Sequence, residues 1–148
     1  MKFMEIAIEQ ALKAQNTNEV PIGAVLVHKS GKIISKAHNL TETSHDPTSH
    51  AEIVVIRLAS EKLKTNKLVD YDLFVTMEPC LMCTGAISNA RIRRLYFGAY
   101  SSKRNYMVSS HLNKYFSSDE CNHLPEIYGG ILEIDCSKLI KSYFKTKR

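Results

Sequence analysis

The 148-residue chain is 44% hydrophobic and 24% charged, ordinary for one soluble globular domain spanning residues 1–148. At that length about 68–70% of the unfolded surface can be buried. No apolar run approaches the ~18 residues of a membrane span, which excludes a spanning helix. Lys and Arg number 20 against 15 Asp and Glu, a formal charge of +5 that permits a polyanionic partner without requiring one.

Residues 2–15 read as an amphipathic helix, with Lys2, Glu5, Glu9 and Lys13 on one arc and Phe3, Ile6, Ala7, Ala11 and Ala14 facing elsewhere. Glu5 and Glu9 interrupt the apolar run, so this start is not expected to act as a secretory leader. The expected setting is a reducing, cytoplasmic one, where paired cysteines read as metal or redox sites before disulfides. Val20-Pro21-Ile22 ends the helical segment. Residues 23–28 are short, apolar and β-branched, hence a strand; Ser30-Gly31 marks a turn, and residues 32–37 form the returning strand of a hairpin. The polar stretch 40–49 contains Asp46-Pro47 and reads as a loop. Thr48 or Ser49 is the expected N-cap of a helix from 50 to about 63, whose run Ile53-Val54-Val55-Ile56, apolar all round, predicts a buried helix. Residues 72–77 read as a central strand, and Pro79 suits the first turn of a helix from 80 to about 89. A strand over 94–99 follows. Residues 100–123, rich in Ser and Tyr, carry no assignment; 126–128 read as a short edge strand, Gly129-Gly130 breaks it, and a last helix runs from 131 to the end. This order predicts an α/β sandwich with helices on both faces of a mixed sheet.

The chemistry is concentrated in His50-Ala51-Glu52 and Pro79-Cys80-Leu81-Met82-Cys83. One imidazole and two thiolates supply three donors to a tetrahedral zinc ion, and three rather than four leave a position open, the mark of a catalytic site. Cys80 and Cys83 project from one face of a helix whose N-terminal partial charge favours thiolates. Zinc brings the pKa of water toward ~7. Glu52 would accept the proton, pass it to a ring nitrogen of the substrate and then protonate the departing amine. Two steps along a regular helix turn about 200°, so Glu52 reaches the site only if the first turn after His50 is irregular or the side chain reaches back. The pattern His-x-Glu then Pro-Cys-x-x-Cys is the signature of zinc-dependent nucleobase deaminases. A redox or structural Cys-x-x-Cys is the competing reading, but no second such pair exists, and Cys121 and Cys136 do not supply one by spacing. Cys136 is expected to be a buried packing thiol and Cys121 a loop thiol. His28, His38, His45 and His111 are expected at the surface or hydrogen-bonded, and Arg91, Arg93 and Arg94 as a solvated face.

Beyond these motifs, Glu19-Val20-Pro21-Ile22-Gly23-Ala24-Val25, Asn39 and His45-Asp46-Pro47-Thr48-Ser49-His50-Ala51-Glu52 resemble the bacterial tRNA-specific adenosine deaminases. So do Thr76-Met77-Glu78-Pro79-Cys80-Leu81-Met82-Cys83-Thr84-Gly85-Ala86-Ile87, Arg91-Ile92, Phe97-Gly98-Ala99 and Asn122-His123. The resemblance implies a three-layer α/β/α cytidine-deaminase-like fold with a mixed sheet of about five strands, a homodimer, and conversion of adenosine to inosine at the wobble position of a tRNA anticodon stem-loop. It implies one zinc ion per subunit on His50, Cys80 and Cys83, with Glu52 as proton shuttle and Glu78 and Pro79 as oxyanion or supporting residues beside the ligands. Asn39 would contact the flipped adenosine, and Pro21, Ile22, Gly23 and Ala24 would wall the pocket. Lys138, Lys141, Lys145 and Arg148 recur on one face of the last helix, with Leu139, Ile140, Tyr143 and Phe144 largely opposite. Family members end in a similar aromatic-then-basic segment that touches RNA, which makes Phe144, Lys145 and Arg148 candidate contacts.

After Phe97-Gly98-Ala99 the family continues Arg-Asp-x-Lys-x-Gly-Ala-x-Gly-Ser, whereas here Ser101, Asn105, Tyr106 and Val108 replace the acidic and small residues, and Lys103 and Ser109 persist. That loop bears on RNA approach and not on the zinc chemistry. Two other readings compete: a deaminase of a free base or nucleoside such as cytosine, cytidine or guanine, and a catalytically silent zinc-bearing RNA-binding subunit. Retention of Glu52 argues against the silent subunit.

Overall fold

The β-branched, apolar segments pair into a five-stranded sheet in the order β2-β1-β3-β4-β5. A computed structural model describes residues 1–101 and 111–147. In chain order its elements are α1 (Lys2–Gln15), β1 (Gly23–His28), β2 (Ile33–His38), α2 (Ala51–Leu63), β3 (Tyr71–Met77), α3 (Leu81–Asn89), β4 (Arg94–Ala99), α4 (His111–Phe116), β5 (Glu126–Tyr128) and α5 (Glu133–Thr146). β1 runs antiparallel to both β2 and β3, while β3, β4 and β5 are parallel, so the sheet is mixed, as the sequence predicts. β3 lies at its centre and is buried over most of its length.

Helices cover both faces. Alternation along β1 sends Ala24 and Leu26 toward α2 and α3, in a core with Val55, Val75, Ile87 and Leu95, and sends Val25 and Val27 toward α1, with Met4, Ala7 and Phe74. α5 closes the α1 side through Cys136, which is fully buried. Two glycines allow the helices this close. A Cβ on Gly23 would lie 1.9 Å from the Ala7 carbonyl of α1, and one on Gly98 would lie 2.3 Å from Cys136 Sγ of α5. The charged arc of α1 is exposed as predicted, at Lys2, Glu5, Glu9 and Lys13.

Several expectations are corrected. Neither Thr48 nor Ser49 caps α2; the cap position is His50, in extended conformation, and both hydroxyls donate to Asp46 instead. Pro79 precedes the cap of α3, Cys80, rather than entering its first turn. In both cases the cap position is taken by a metal-type donor in extended conformation whose side chain makes no capping hydrogen bond. α2 is not buried all round: Ala51, Glu52, Val55 and Ala59 are, but Leu58 is 45% exposed. α4 falls in the stretch left without an assignment. α5 begins two residues later than expected, after Leu132 in the left-handed region at φ 53°. The divergent stretch at 102–110, with Lys103, Asn105, Tyr106, Val108 and Ser109, and Arg148 lie outside the described residues.

Candidate active site and metal centre

α2 and α3 both begin at the same end of the sheet, where β3 and β4 run out, the usual place for a site in a sheet with parallel strands. His50, at the cap of α2, meets Cys80, at the cap of α3, and Cys83, one turn on. His50 Nδ1 lies 3.5 Å from Cys80 Sγ and 3.5 Å from Cys83 Sγ, and the three donor atoms all fall within 4.8 Å of one another. Among the described residues this is the cluster of three or more His, Cys, Asp or Glu side chains able to hold a metal ion.

The donor set fits zinc. Bonds of about 2.3 Å to sulfur and about 2.0–2.1 Å to nitrogen, at a tetrahedral angle, put nitrogen and sulfur about 3.5 Å apart, which matches the observed separations. The two thiols are coupled: a hydrogen bond from the Cys83 thiol, and another from His50, hold the Cys80 thiol well below the usual thiol range. Cys83 is pushed up by its hydrogen bond to Cys80 and by burial. A dication in place of the Cys83 proton permits both sulfurs to be thiolates. His50 is raised by its hydrogen bond to Cys80, against the effect of burial.

Glu52 is 3% exposed, and its Oε2 has no hydrogen-bond partner among the described residues. Burial pushes its carboxyl up to about 7. Because His50 is extended (φ −67°, ψ 153°) and helical geometry starts only at Ala51, the ideal helical turn between His50 and Glu52 does not apply. Glu52 comes within hydrogen-bonding reach of Cys83. Asn39, also buried, accepts a hydrogen bond at Oδ1 from Ala51 N at 3.0 Å, satisfying an amide at the start of α2 from another part of the chain.

The expected pocket wall divides. Ala24, and Ile22 beside it, pack in the core on the α2 side, whereas Gly23 turns to α1; Pro21 is buried. Glu78 Oε2 accepts from Ser101 N at 3.0 Å and Glu78 N donates to Ala99 O, so Glu78 ties the strand before Cys80 to the end of β4. Pro79 is buried. On α5, Lys138, Lys141 and Lys145 are exposed; Leu139, Ile140 and Tyr143 are half-buried, but Phe144 is 50% exposed and lies with the polar face rather than opposite it. Of the arginine cluster, Arg91 is exposed, while Arg93 forms a two-point ion pair with Asp72 and Arg94 pairs with Glu126, at the end of the strands away from His50. His28 bonds Ser30 and His38 bonds Gln10, as expected of hydrogen-bonded histidines.

Sequence reasoning missed Glu19 and Arg57 as individual residues. Glu19 is fully buried and gathers the loop after Asn39; Arg57 reaches from α2 back to Asp46. Neither has a spacing signal, since their partners lie far along the chain; Glu19 entered the reading only as one letter of a longer motif.

Residues 1–99 match the family model for the cytidine and deoxycytidylate deaminase zinc-binding region. Over 146 residues, 99% of this chain and 94% of the relative, the sequence is 45% identical to a tRNA-specific adenosine deaminase of Agrobacterium fabrum. It is 46% identical to one from Rickettsia bellii over 98% of this chain and 99% of the relative. A solved structure from work on A-to-I editing by tRNA:A34 deaminases at the wobble position superposes with a TM-score of 0.86, at 46% identity, over 93% of this chain and 98% of that one.

Proposed function

The chain belongs to the zinc-binding cytidine and deoxycytidylate deaminase family, and from that premise we propose that it converts adenosine to inosine at the wobble position of a tRNA anticodon. One observation carries the chemistry: beside three donors suited to zinc sits a buried carboxylate, Glu52, with Oε2 left for a reaction partner. The substrate follows from the relatives, tRNA-specific adenosine deaminases matched along nearly the full chain; a free base or nucleoside is not favoured. Residues 1–148 act as one deaminase domain.

His50, Cys80 and Cys83 would hold the zinc ion, whose Lewis acidity would make hydroxide accessible near neutral pH. The chain's own residues do the rest. Glu52 takes one water proton at its carboxylate and delivers it to a ring nitrogen as the oxygen bonds to the amino-bearing carbon; it then takes the remaining proton from that new hydroxyl and gives it to the amine, so that the C–N bond breaks, ammonia departs and the carbon keeps a carbonyl. A carboxyl whose burial holds its pKa near neutrality serves as base and then acid without a large energetic mismatch in either role. Asn39 offers its Nδ2 donor to the base, and its bond to Ala51 N holds the amide in one orientation. Pro21, Ile22 and Ala24 close the pocket against water. A base must leave its stack to enter such a site, which costs least in an already single-stranded loop. Phe144 and Lys145 of α5 contact the flanking RNA, one by stacking and one by charge.

The assembly is a homodimer in the cytoplasm. Supporting the dimer, Leu58 of α2 and Leu81 and Met82 of α3 leave apolar side chains exposed. No helix among the described residues is long and apolar enough to cross a membrane. The test is to incubate zinc-loaded protein with an adenosine-containing anticodon stem-loop, alongside free adenosine, cytidine and guanine. Inosine in the stem-loop supports the reading; deamination of a free compound with the RNA untouched contradicts it.

A further inference from the structure

The loop between β2 and α2 is closed at its neck, where Leu40 N donates to Ser49 O at 3.0 Å and Asn39 N donates to Ile22 O at 3.1 Å. Asn39 on one side of that neck and His50 on the other are both site residues. The loop beyond it is exposed at Glu42, Thr43, Ser44 and His45 and has no apolar contents of its own to hold it. Two carboxylates hold it instead. Asp46 folds the limb entering α2, accepting from Thr48 N, Thr48 Oγ1 and Ser49 Oγ. Glu19 folds the limb leaving β2: Oε1 accepts from Glu42 N at 2.8 Å and Thr41 Oγ1 at 3.3 Å, and Oε2 accepts from Thr43 N and Thr43 Oγ1, each at 3.3 Å. The limbs are joined by Asp46 N donating to Thr41 O at 3.1 Å.

Glu19 is 0% exposed, and its own amide donates to Ala14 O at the end of α1. A carboxylate taken wholly out of water is costly unless its lone pairs are filled; here four donors from three consecutive loop residues fill them. A glutamine at the same place would present an NH2 group to one of the two donor pairs, so size alone cannot substitute. We infer that Glu19 is a positioning residue for the substrate: it anchors residues 41–43 to α1 and so fixes the exposed rim beside Asn39 against which single-stranded RNA flanking the reacting adenosine is laid. This rests on the tRNA deaminase reading above. The zinc donors and Glu52 stand at the starts of α2 and α3, and the Glu19 carboxylate bonds only Thr41, Glu42 and Thr43 among the described residues, so the rim governs capture of the RNA rather than the chemical step.

The experiment compares zinc-loaded wild type, Glu19→Gln and Thr43→Val on an adenosine-containing anticodon stem-loop, with kcat, KM, zinc content and Tm measured for each. Thr43→Val removes one exposed hydroxyl donor, keeps the side-chain shape, and decides the matter if Glu19→Gln does not fold. Glu19→Gln is expected to raise KM about tenfold and Thr43→Val about threefold, the effect of one or two lost hydrogen bonds, with kcat within about twofold and zinc unchanged. A fall in Tm with KM unaltered in the folded variants would show a purely structural clamp and overturn the inference. So would loss of kcat together with zinc. A wild type inactive on the stem-loop but active on a free base overturns the functional reading itself, and the wild-type arm alone reveals it.

Discussion

A carboxyl buried without a partner for one oxygen is unfavourable to folding once it ionises, and Glu52 carries that burden at the start of α2. Its pKa in the folded chain, about 7, lies above the usual 4.5. The stabilising contribution of the neutral form is therefore complete below pH 4.5 and is lost as pH rises through 7, a cost of up to about 3 kcal/mol by pH 8. In chelator-treated protein, Glu52→Gln is expected to raise Tm by several degrees at pH 8 and by little at pH 4.5; a difference that does not depend on pH would contradict the assignment. With zinc restored, Glu52→Ala is expected to keep metal and RNA binding but lose turnover, measured as inosine formed. Turnover surviving that change would place the proton transfer elsewhere.

At the scale of elements, the strands were legible almost to the residue. β1, β4 and β5 coincide with the segments read from alternation and β-branching, because burial on a sheet selects those side chains directly. Helix starts were less legible. Thr48 and Ser49 are good cap residues by propensity, yet His50 and Cys80 hold the cap positions, where an extended residue can aim a donor at its neighbour. The run Ile53-Val54-Val55-Ile56 suggested full burial, but an apolar helix face left open by one chain looks the same in sequence as one covered by it. The sequence also gave no hint that Gly98 marks the seat of α5. There, Gly98→Ala is expected to lower the urea midpoint by an amount equivalent to about 1–3 kcal/mol, since the new methyl meets Cys136 Sγ, Cys136 Cβ and Thr76 O, all under 3.0 Å. Adding Cys136→Ala should recover only part of that loss, because Thr76 O remains; complete recovery would show that the sulfur alone sets the spacing.

For the whole molecule, a formal charge of +5 matters less than where the cations stand. Arg93 and Arg94 are neutralised by Asp72 and Glu126 at one end of the sheet, while Lys138, Lys141 and Lys145 stand exposed along α5. If α5 grips the anticodon loop, Lys145→Ala should reduce the slope of log binding constant against log salt by about 0.7, the value for one phosphate of a single strand. Lys67→Ala, in the segment between α2 and β3, should leave it unchanged. Equal slopes for wild type and Lys145→Ala would remove α5 from the interface. The most direct measurement is X-ray absorption at the zinc edge of the as-purified protein. One zinc per chain is expected, with two sulfur neighbours at about 2.3 Å and two lighter neighbours at about 2.0–2.1 Å, the set that His50, Cys80 and Cys83 produce with one position free for reaction. Three or four sulfurs, or no zinc, would contradict an open catalytic centre.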